Sequence, residues 1–284
     1  MSAGILKPPE GELIVSYGGG VNTIAVLLAL YEHGVRPRAI TMADPGSEWP
    51  ATIAYREEIM RPWCARVGFP EILVLTRKEE GRHRPRAWRL ETLSEECLRI
   101  GSLPSVAYGW KKCSAKYKAE PQRWWTERQP WAQEVWAAGH KVVRVIGYDR
   151  DEERRVNKAN SVNWAPALEM ARFAYWHPLY ELGLDRDGCK DLILRHGFDL
   201  PPKSACTFCP NNHLDEWQKL RDEEPGKFAE AVAMSQQARV DVPDVVGLMR
   251  CNEHGKRQLH VWANGDYESV RAGAELESDC ECAT

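Results

Sequence analysis

Apolar positions along this chain recur in two rhythms. Leu13, Ile14 and Val15 form a short unbroken run suited to a buried strand. Val21, Ile24, Ala25, Leu28 and Tyr31 then return at helical spacing, and Gly34 supplies a stop signal. Arg38 to Met42 reads as a second strand, residues from about Pro50 to Val67 as a helix with proline in its first turn, and Glu71 to Thr76 as a third strand. A long helical stretch covers roughly Ser114 to Ala138, and Val142 to Ile146 reads as a fourth core strand. Strands alternating with helices at this spacing predict an α/β fold with a doubly wound, mostly parallel sheet.

After about residue 185 the pattern changes. A short helix around Asp187 to His196, closed by Gly197, precedes a proline- and cysteine-bearing segment from Leu200 to Pro210. Further helices span about His213 to Arg221 and Gly226 to Arg239, and the tail ends Asp279-Cys280-Glu281-Cys282-Ala283-Thr284. The expected organisation is a nucleotide-binding α/β unit over residues 1–185 and a cysteine-containing helical extension over 186–284, with a mobile terminal tail.

Between the first strand and the first helix lie Gly18, Gly19 and Gly20. Strand, glycine turn and helix start make an anion site, because unpaired N–H groups and the helix dipole both point at it. The same glycines also suit an ordinary tight turn between strand and helix. Ligands of doubly wound sheets sit at the carboxyl ends of the strands. That edge also receives Asp44 to Glu48 after the second strand, and Gly147 to Arg155 after the fourth.

Composition narrows the classes. The 284 residues can bury a sizeable core, with 43% hydrophobic and 28% charged side chains. A net charge of −3 provides no global basic field for nucleic acid. A local patch remains open: Arg77 to Arg89 holds seven basic side chains in thirteen residues, either a solvated loop or a clamp for an anionic substrate. No signal-peptide pattern appears near Met1, and no apolar run approaches the ~20 residues of a membrane span, so a cytoplasmic protein is expected. Nine cysteines in that setting point to metal, cluster or catalytic use rather than a disulfide framework. Cys64 and Cys97 sit in helical runs as small core fillers. Of twelve tryptophans, five lie between Trp110 and Trp136, as an apolar face or, less simply, a base-stacking surface.

The glycine turn is not a Walker loop, since no Gly-Lys-Ser/Thr follows. Gly18-Gly19-Gly20-Val21-Asn22-Thr23, preceded by Ser16, resembles the PP-loop of the ATP pyrophosphatase and sulfonucleotide (phosphoadenosine phosphosulfate) reductase superfamily, Ser-Gly-Gly-x-Asp-Ser. Gly18, Asn22 and Thr23 depart from it while keeping small or hydrogen-bonding groups. Asp44-Pro45-Gly46-Ser47-Glu48-Trp49-Pro50-Ala51-Thr52 resembles that family's second nucleotide motif, and Gly147, Glu152 and Arg155 its Gly-x-x-x-x-Glu-x-x-Arg element. Cys113, Lys118 and Pro121 match the Cys-Cys-x-x-Arg-Lys-x-x-Pro segment of cluster-bearing reductases, with Ser114 in place of the second cysteine.

The resemblance implies an adenine nucleotide and Mg²⁺ held by Ser16, Gly18 to Thr23, Asp44, Gly46 and Gly147. It assigns catalytic work to Lys118, Glu152 and Arg155. Cys206 and Cys209, two residues apart and followed by Pro210, would share a metal or cluster with Cys113, and Cys189 is the choice for a fourth ligand. A [4Fe–4S] cluster is the implied occupant and zinc the alternative. A redox pair of Cys206 and Cys209 also remains open, as does a buried Cys189 with Cys251 or no fourth protein ligand in its place. Three activities follow as expectations. One is an AMP-forming ATP pyrophosphatase in a sulfur-transfer pathway, with DNA (as in phosphorothioation) or tRNA as acceptor and a sulfur-donor protein as partner. Another is a sulfonucleotide reductase releasing sulfite, with Glu281-Cys282 as a fragment of its tail. The third is a non-catalytic nucleotide-binding subunit.

Overall fold

The computed structural model describes residues 6–84, 89–110, 112–161, 167–241, 247–249, 259 and 263, and side chains of the last long helix only as far as 238. Five strands, β1 (Leu13–Ser16), β2 (Ala39–Asp44), β3 (Ile72–Thr76), β4 (Val142–Val145) and β5 (Phe173–Trp176), form one sheet. Its order is β3-β2-β1-β4-β5 and every pairing is parallel, as the alternating pattern predicts. β1 is central, with Ile14 opposite Ala39 on one side and Arg144 on the other. The chain moves outward in one direction through β2 and β3, then returns to β1's other side for β4. That reversal opens a crevice at the carboxyl ends of β1 and β4.

The helix Val21–Glu32 leaves β1 through the glycine turn, and every residue from Val21 to Leu30 is buried. A helix apolar on all faces has to be covered on all faces. The sheet covers one side, and the helices Pro178–Glu181 and Arg186–Arg195 pack on it as well. Cys189, Leu192 and Ile193 therefore belong to the same hydrophobic core as Val15, Ile24, Leu27 and Leu28. A second core gathers Trp49, Leu93, Cys97, Leu103, Ala107 and Tyr117 with Ala205, Phe208, Cys209, Trp217 and Leu220. The two cores thus do not divide at residue 185. The helix just after it joins the sheet, and the second core draws on residues 93–117 as well as on the later segment.

Local differences from the sequence pattern have identifiable causes. The expected helix over 114–138 breaks into pieces, and Gln129 is extended at φ −79°, ψ 126° ahead of the helix Pro130–Ala137. Proline biases the preceding residue out of the helical region, so the chain turns there. A five-residue π-turn, Arg56–Met60, precedes Pro62, and another, Ala115–Ala119, precedes Pro121. The wider turn accommodates a ring that would clash with an α-helical carbonyl. The helix Leu93–Ile100 starts with a capping box in which Thr92 and Glu95 exchange hydrogen bonds, a signal present in Thr92-Leu93-Ser94-Glu95. Among the described residues no helix is long and apolar enough to cross a membrane.

If the helix Arg186–Arg195 is part of the sheet's core, Ile193→Ala will destabilise that core by about 2–4 kcal/mol through a cavity. Urea unfolding should then show the loss in the transition that exposes the sheet, and a shift confined to a separate transition would contradict the packing.

Candidate nucleotide and cysteine site

Gly19 adopts φ +80°, a left-handed conformation that side-chain-bearing residues rarely take, and a Cβ there would lie 2.6 Å from the Thr52 methyl. Gly20 caps the helix Val21–Glu32 without a side-chain hydrogen bond. The Gly20 carbonyl accepts from the Thr23 and Ile24 amides, at 3.1 and 3.2 Å, and from Thr23 Oγ1 at 3.0 Å. Among the described residues, the amides of Gly19, Gly20, Val21 and Asn22 donate to no protein acceptor. Four N–H groups at the start of a buried twelve-residue helix, beside the crevice between β1 and β4, form a cradle for negative oxygens.

The exit of β4 lies directly on this turn. A Cβ at Gly147 would meet the Asn22 backbone at 3.1 Å, so any side chain there would push the helix start aside by a few tenths of an ångström. Asn22 is then enclosed: Nδ2 donates to Asp149 Oδ2 at 2.9 Å and Glu152 Oε2 at 3.1 Å, and Arg186 Nη1 donates to Asn22 Oδ1 at 2.7 Å. Asp149 and Glu152 also form a capping box at the start of residues Arg150–Glu152. Arg155 pairs with Glu152 and lies 4.5 Å from the Tyr148 ring centre, and Tyr148 stacks on His177 at 5.0 Å. His177 is 5% exposed, its Nδ1 3.4 Å from the Ile146 carbonyl, and among the described residues Nε2 has no partner. Burial lowers its pKa to about 4.

On the other side of the turn, Asp44 ends β2 and its Oδ1 accepts the Gly46 amide at 2.7 Å. The loop 47–49 then pairs with the cysteine segment. Glu48 and Cys206 form an antiparallel bridge, the Trp49 amide donates to the Ala205 carbonyl at 3.2 Å, and the Thr207 amide donates to the Ser47 carbonyl at 2.8 Å. Ser204 Oγ donates to the Gly18 carbonyl and lies 3.0 Å from Glu48 Oε1. Glu48 is almost wholly buried, which pushes its carboxyl up to about 7 against the opposing pull of Lys118 and Ser204. A hydroxyl has one hydrogen. Ser204 can serve Gly18 and Glu48 together at full strength only when Glu48 carries a proton, in accord with that upward push.

Cys113, Cys206 and Cys209 line one cavity with Lys118, Pro45, Leu93, Val106, Phe208 and Pro210. Three of the four cysteines expected to act together therefore converge, between the Asp44 loop and the second core. Cys189 does not join them. It is 0% exposed on the helix packed against Val21–Glu32, and burial pushes its thiol up to about 12. Its role in this structure is core packing, and the reason is its place on the inward face of a helix that the sheet unit needs. Among the described residues no three His, Cys, Asp or Glu groups close on single-ion geometry. Cys251, Cys280 and Cys282 lie outside the described residues.

The basic stretch is divided: three of its side chains pair within the protein, while Arg82, His83 and Arg89 are exposed. Arg77 is 2% exposed, paired with Glu120 and 4.9 Å from the Trp124 ring centre, Lys78 pairs with Glu95, and Arg84 pairs with Glu127. Residues 85–88, including Arg86, lie outside the described part. Trp125, Trp131 and Trp136 pack against the sheet with Phe173, as an apolar face, while Trp110 is 62% exposed. Ser204, Glu48, Asp149 and Arg186 are site-forming residues that motif matching passed over. Only the Asp149-x-x-Glu152 spacing signalled one of them.

No family model matches the chain, and no curated protein does. Among solved structures it is similar to the U34-tRNA thiolase NcsA from Methanococcus maripaludis, determined with its [4Fe–4S] cluster. The identity is 12% and the TM-score 0.38, over 83% of this chain and 73% of that one, a likeness too slight to bear on function.

Asn22→Asp will replace two donated hydrogen bonds by repulsion between carboxylates. It should cost about 1–3 kcal/mol at pH 7, read as a fall in Tm, and an unchanged Tm would remove Asn22 from its bridging role. The His177 shift gives a pH signature. Its folded pKa of about 4 lies below the ordinary 6.5, so the unfolded chain binds the proton first and stability falls as pH drops from about 6.5 to about 4. His177→Phe should flatten that part of the stability–pH curve relative to the parent protein.

Proposed function

We propose that this chain is a PP-loop enzyme that adenylylates a substrate, with release of pyrophosphate, in a sulfur-transfer pathway acting on nucleic acid. The observation that carries the reading is the set of four unpaired amides at Gly19 to Asn22, set within the carboxyl edge that also receives Asp44, Gly147 and the cysteine segment. The resemblance of Gly18 to Thr23, Asp44 to Thr52 and Gly147 to Arg155 to the PP-loop superfamily supports an adenine nucleotide as the ligand. In this reading the amides hold its phosphate oxygens, and Asp44 offers a carboxylate for Mg²⁺. An oxygen of the acceptor attacks the α-phosphorus, the bond to the bridging oxygen breaks, and pyrophosphate leaves. A sulfur nucleophile then attacks the acceptor atom that bears the adenylylated oxygen, the bond from that atom to the oxygen breaks, and AMP leaves carrying the oxygen. Lys118, beside the cysteine cavity and close enough to bias Glu48, neutralises charge that grows during the displacement.

The cavity's three cysteines are donors suited to a [4Fe–4S] cluster, with zinc as the alternative. Four-coordinate zinc and a [4Fe–4S] cluster both take cysteine thiolates, and the resemblance of the Cys113 segment to cluster-bearing reductases supports the cluster. Cys113, Cys206 and Cys209 would hold it, and it would supply iron able to bind sulfur. DNA or tRNA as acceptor and a separate sulfur-donor protein are part of this proposal. One observation favours the non-catalytic reading: the Asn22 side chain is engaged by Asp149, Glu152 and Arg186, and it carries no carboxylate for a metal.

The test is an anaerobic preparation assayed for iron, acid-labile sulfide and zinc, then for pyrophosphate release from ATP with and without nucleic acid. The expected result is iron with sulfide, and pyrophosphate release stimulated by nucleic acid and lowered about 10²-fold in Lys118→Ala. Sulfite release from a sulfonucleotide would assign reductase chemistry instead. Nucleotide binding without turnover of either substrate would assign the accessory role.

A further inference from the structure

We infer that Ser204 is a positioning residue through which the cysteine cavity sets the nucleotide affinity of the glycine turn. This rests on the nucleotide reading above and adds a coupling between its two halves. The segment from Lys203 to Cys209 does three things within seven residues. Cys206 and Cys209 open onto the cavity. The backbone of residues 205–207 pairs with Ser47 to Trp49, the loop that follows Asp44. Ser204 Oγ grips the Gly18 carbonyl, at the first glycine of the turn. A Cβ on Gly19 or on Gly20 would stand 3.8 Å from the Ser204 Cβ, so the serine lies directly against the amides that await an anion.

The Lys203 carbonyl is itself 3.3 Å from Thr52 Oγ1, whose methyl lies against Gly19. The turn is therefore held from two directions by one short stretch of chain. A left-handed glycine turn with four unsatisfied amides has little internal support, and its orientation depends on these outside contacts. Any group that fixes Cys206 and Cys209 fixes the backbone between them and Ser204, and hence the direction of the amides. Linkage makes the effect reciprocal: a nucleotide that binds the loaded form more tightly also strengthens retention of the group in the cavity by the same factor.

The experiment uses the full chain, prepared anaerobically, and a non-hydrolysable α,β-methylene ATP titrated by calorimetry. Parent protein as isolated is compared with protein stripped by a chelator, and Ser204→Ala with Thr207→Val. Thr207 lies on the same segment, and its buried hydroxyl has no partner among the described residues, so its replacement tests the segment's integrity rather than its grip on Gly18. The expected result is about tenfold weaker binding after stripping, and the same loss in Ser204→Ala with iron content and Tm retained. Stripping should then have little further effect on Ser204→Ala, and Thr207→Val should behave as the parent. Equal affinity of the loaded and stripped parent protein overturns the coupling, as does parent-like binding by Ser204→Ala. Loss of iron along with nucleotide in Ser204→Ala, or an equal loss in Thr207→Val, overturns the positioning role by making the segment merely structural. A parent protein that binds no nucleotide in either state defeats the nucleotide reading itself, and the coupling with it.

Discussion

Four main-chain amides at Gly19 to Asn22 have no acceptor within the described protein, and the surrounding architecture is arranged around that deficit. Buried helix starts normally recruit a side-chain cap. Gly20 offers none, although the nearby helices starting at Leu93 and Arg186 are both capped by side chains. Leaving these N–H groups open costs stability that the helix recovers by burying ten consecutive residues against the sheet and two further helices. The heavily covered helix and the unpaired donors at its start are two aspects of one design: the core holds rigid what the turn leaves unsatisfied.

Packing around the turn follows from the same demand. Glycine at 147 lets the exit of β4 lie close against the Asn22 backbone, and Gly19 is glycine because the turn there is left-handed and crowded by Thr52. Asn22 then knits the helix start to the β4 exit by giving both amide hydrogens to carboxylates. An aspartate at this position would face Asp149 and Glu152 as a like charge. Asparagine lets two acidic groups approach a helix N-terminus, where negative charge is favoured, without a third one competing.

Much of this was legible in the chain's pattern, for physical reasons that differ by element. β1 to β4 and the Val21–Glu32 helix announce themselves because continuous burial demands continuous apolar residues. β5 did not: Phe173-Ala174-Tyr175-Trp176 is four residues long, follows directly on a short helix, and is defined by its pairing with β4 rather than by rhythm. The glycine turn, Asp44 and Gly147 could be placed on one edge from topology alone, whereas Lys118 and the cysteines were linked to them only by resemblance to the PP-loop superfamily and by the Cys206–Cys209 spacing. Cys189 could not be separated from them by spacing, since a thiol suits a core as well as a cavity, and only the helix face decides. Ser204 and Glu48 escaped notice because each acts through a tertiary contact, across 186 and 156 residues respectively, that no local motif encodes.

The position of the second core explains why the cysteines and the glycine turn sit side by side. Residues 93–117 leave the sheet after β3 and return Cys113 and Lys118 toward it, while the segment after residue 200 returns Cys206 and Cys209 from the far end of the chain. Trp217, Phe208 and Tyr117, all below 2% exposure, are buried in the one core to which both arms contribute. The core and the cavity share Leu93, Cys113, Cys206, Phe208 and Cys209, so the same packing forms both. Tyr117, one residue before Lys118, is anchored by donating to Glu96, and Phe208 lies between the cysteines at 206 and 209. The hydrophobic effect thus does for the cavity what parallel pairing does for the glycine turn, bringing chemically distinct groups from distant segments to a common edge and holding them there before any ligand arrives.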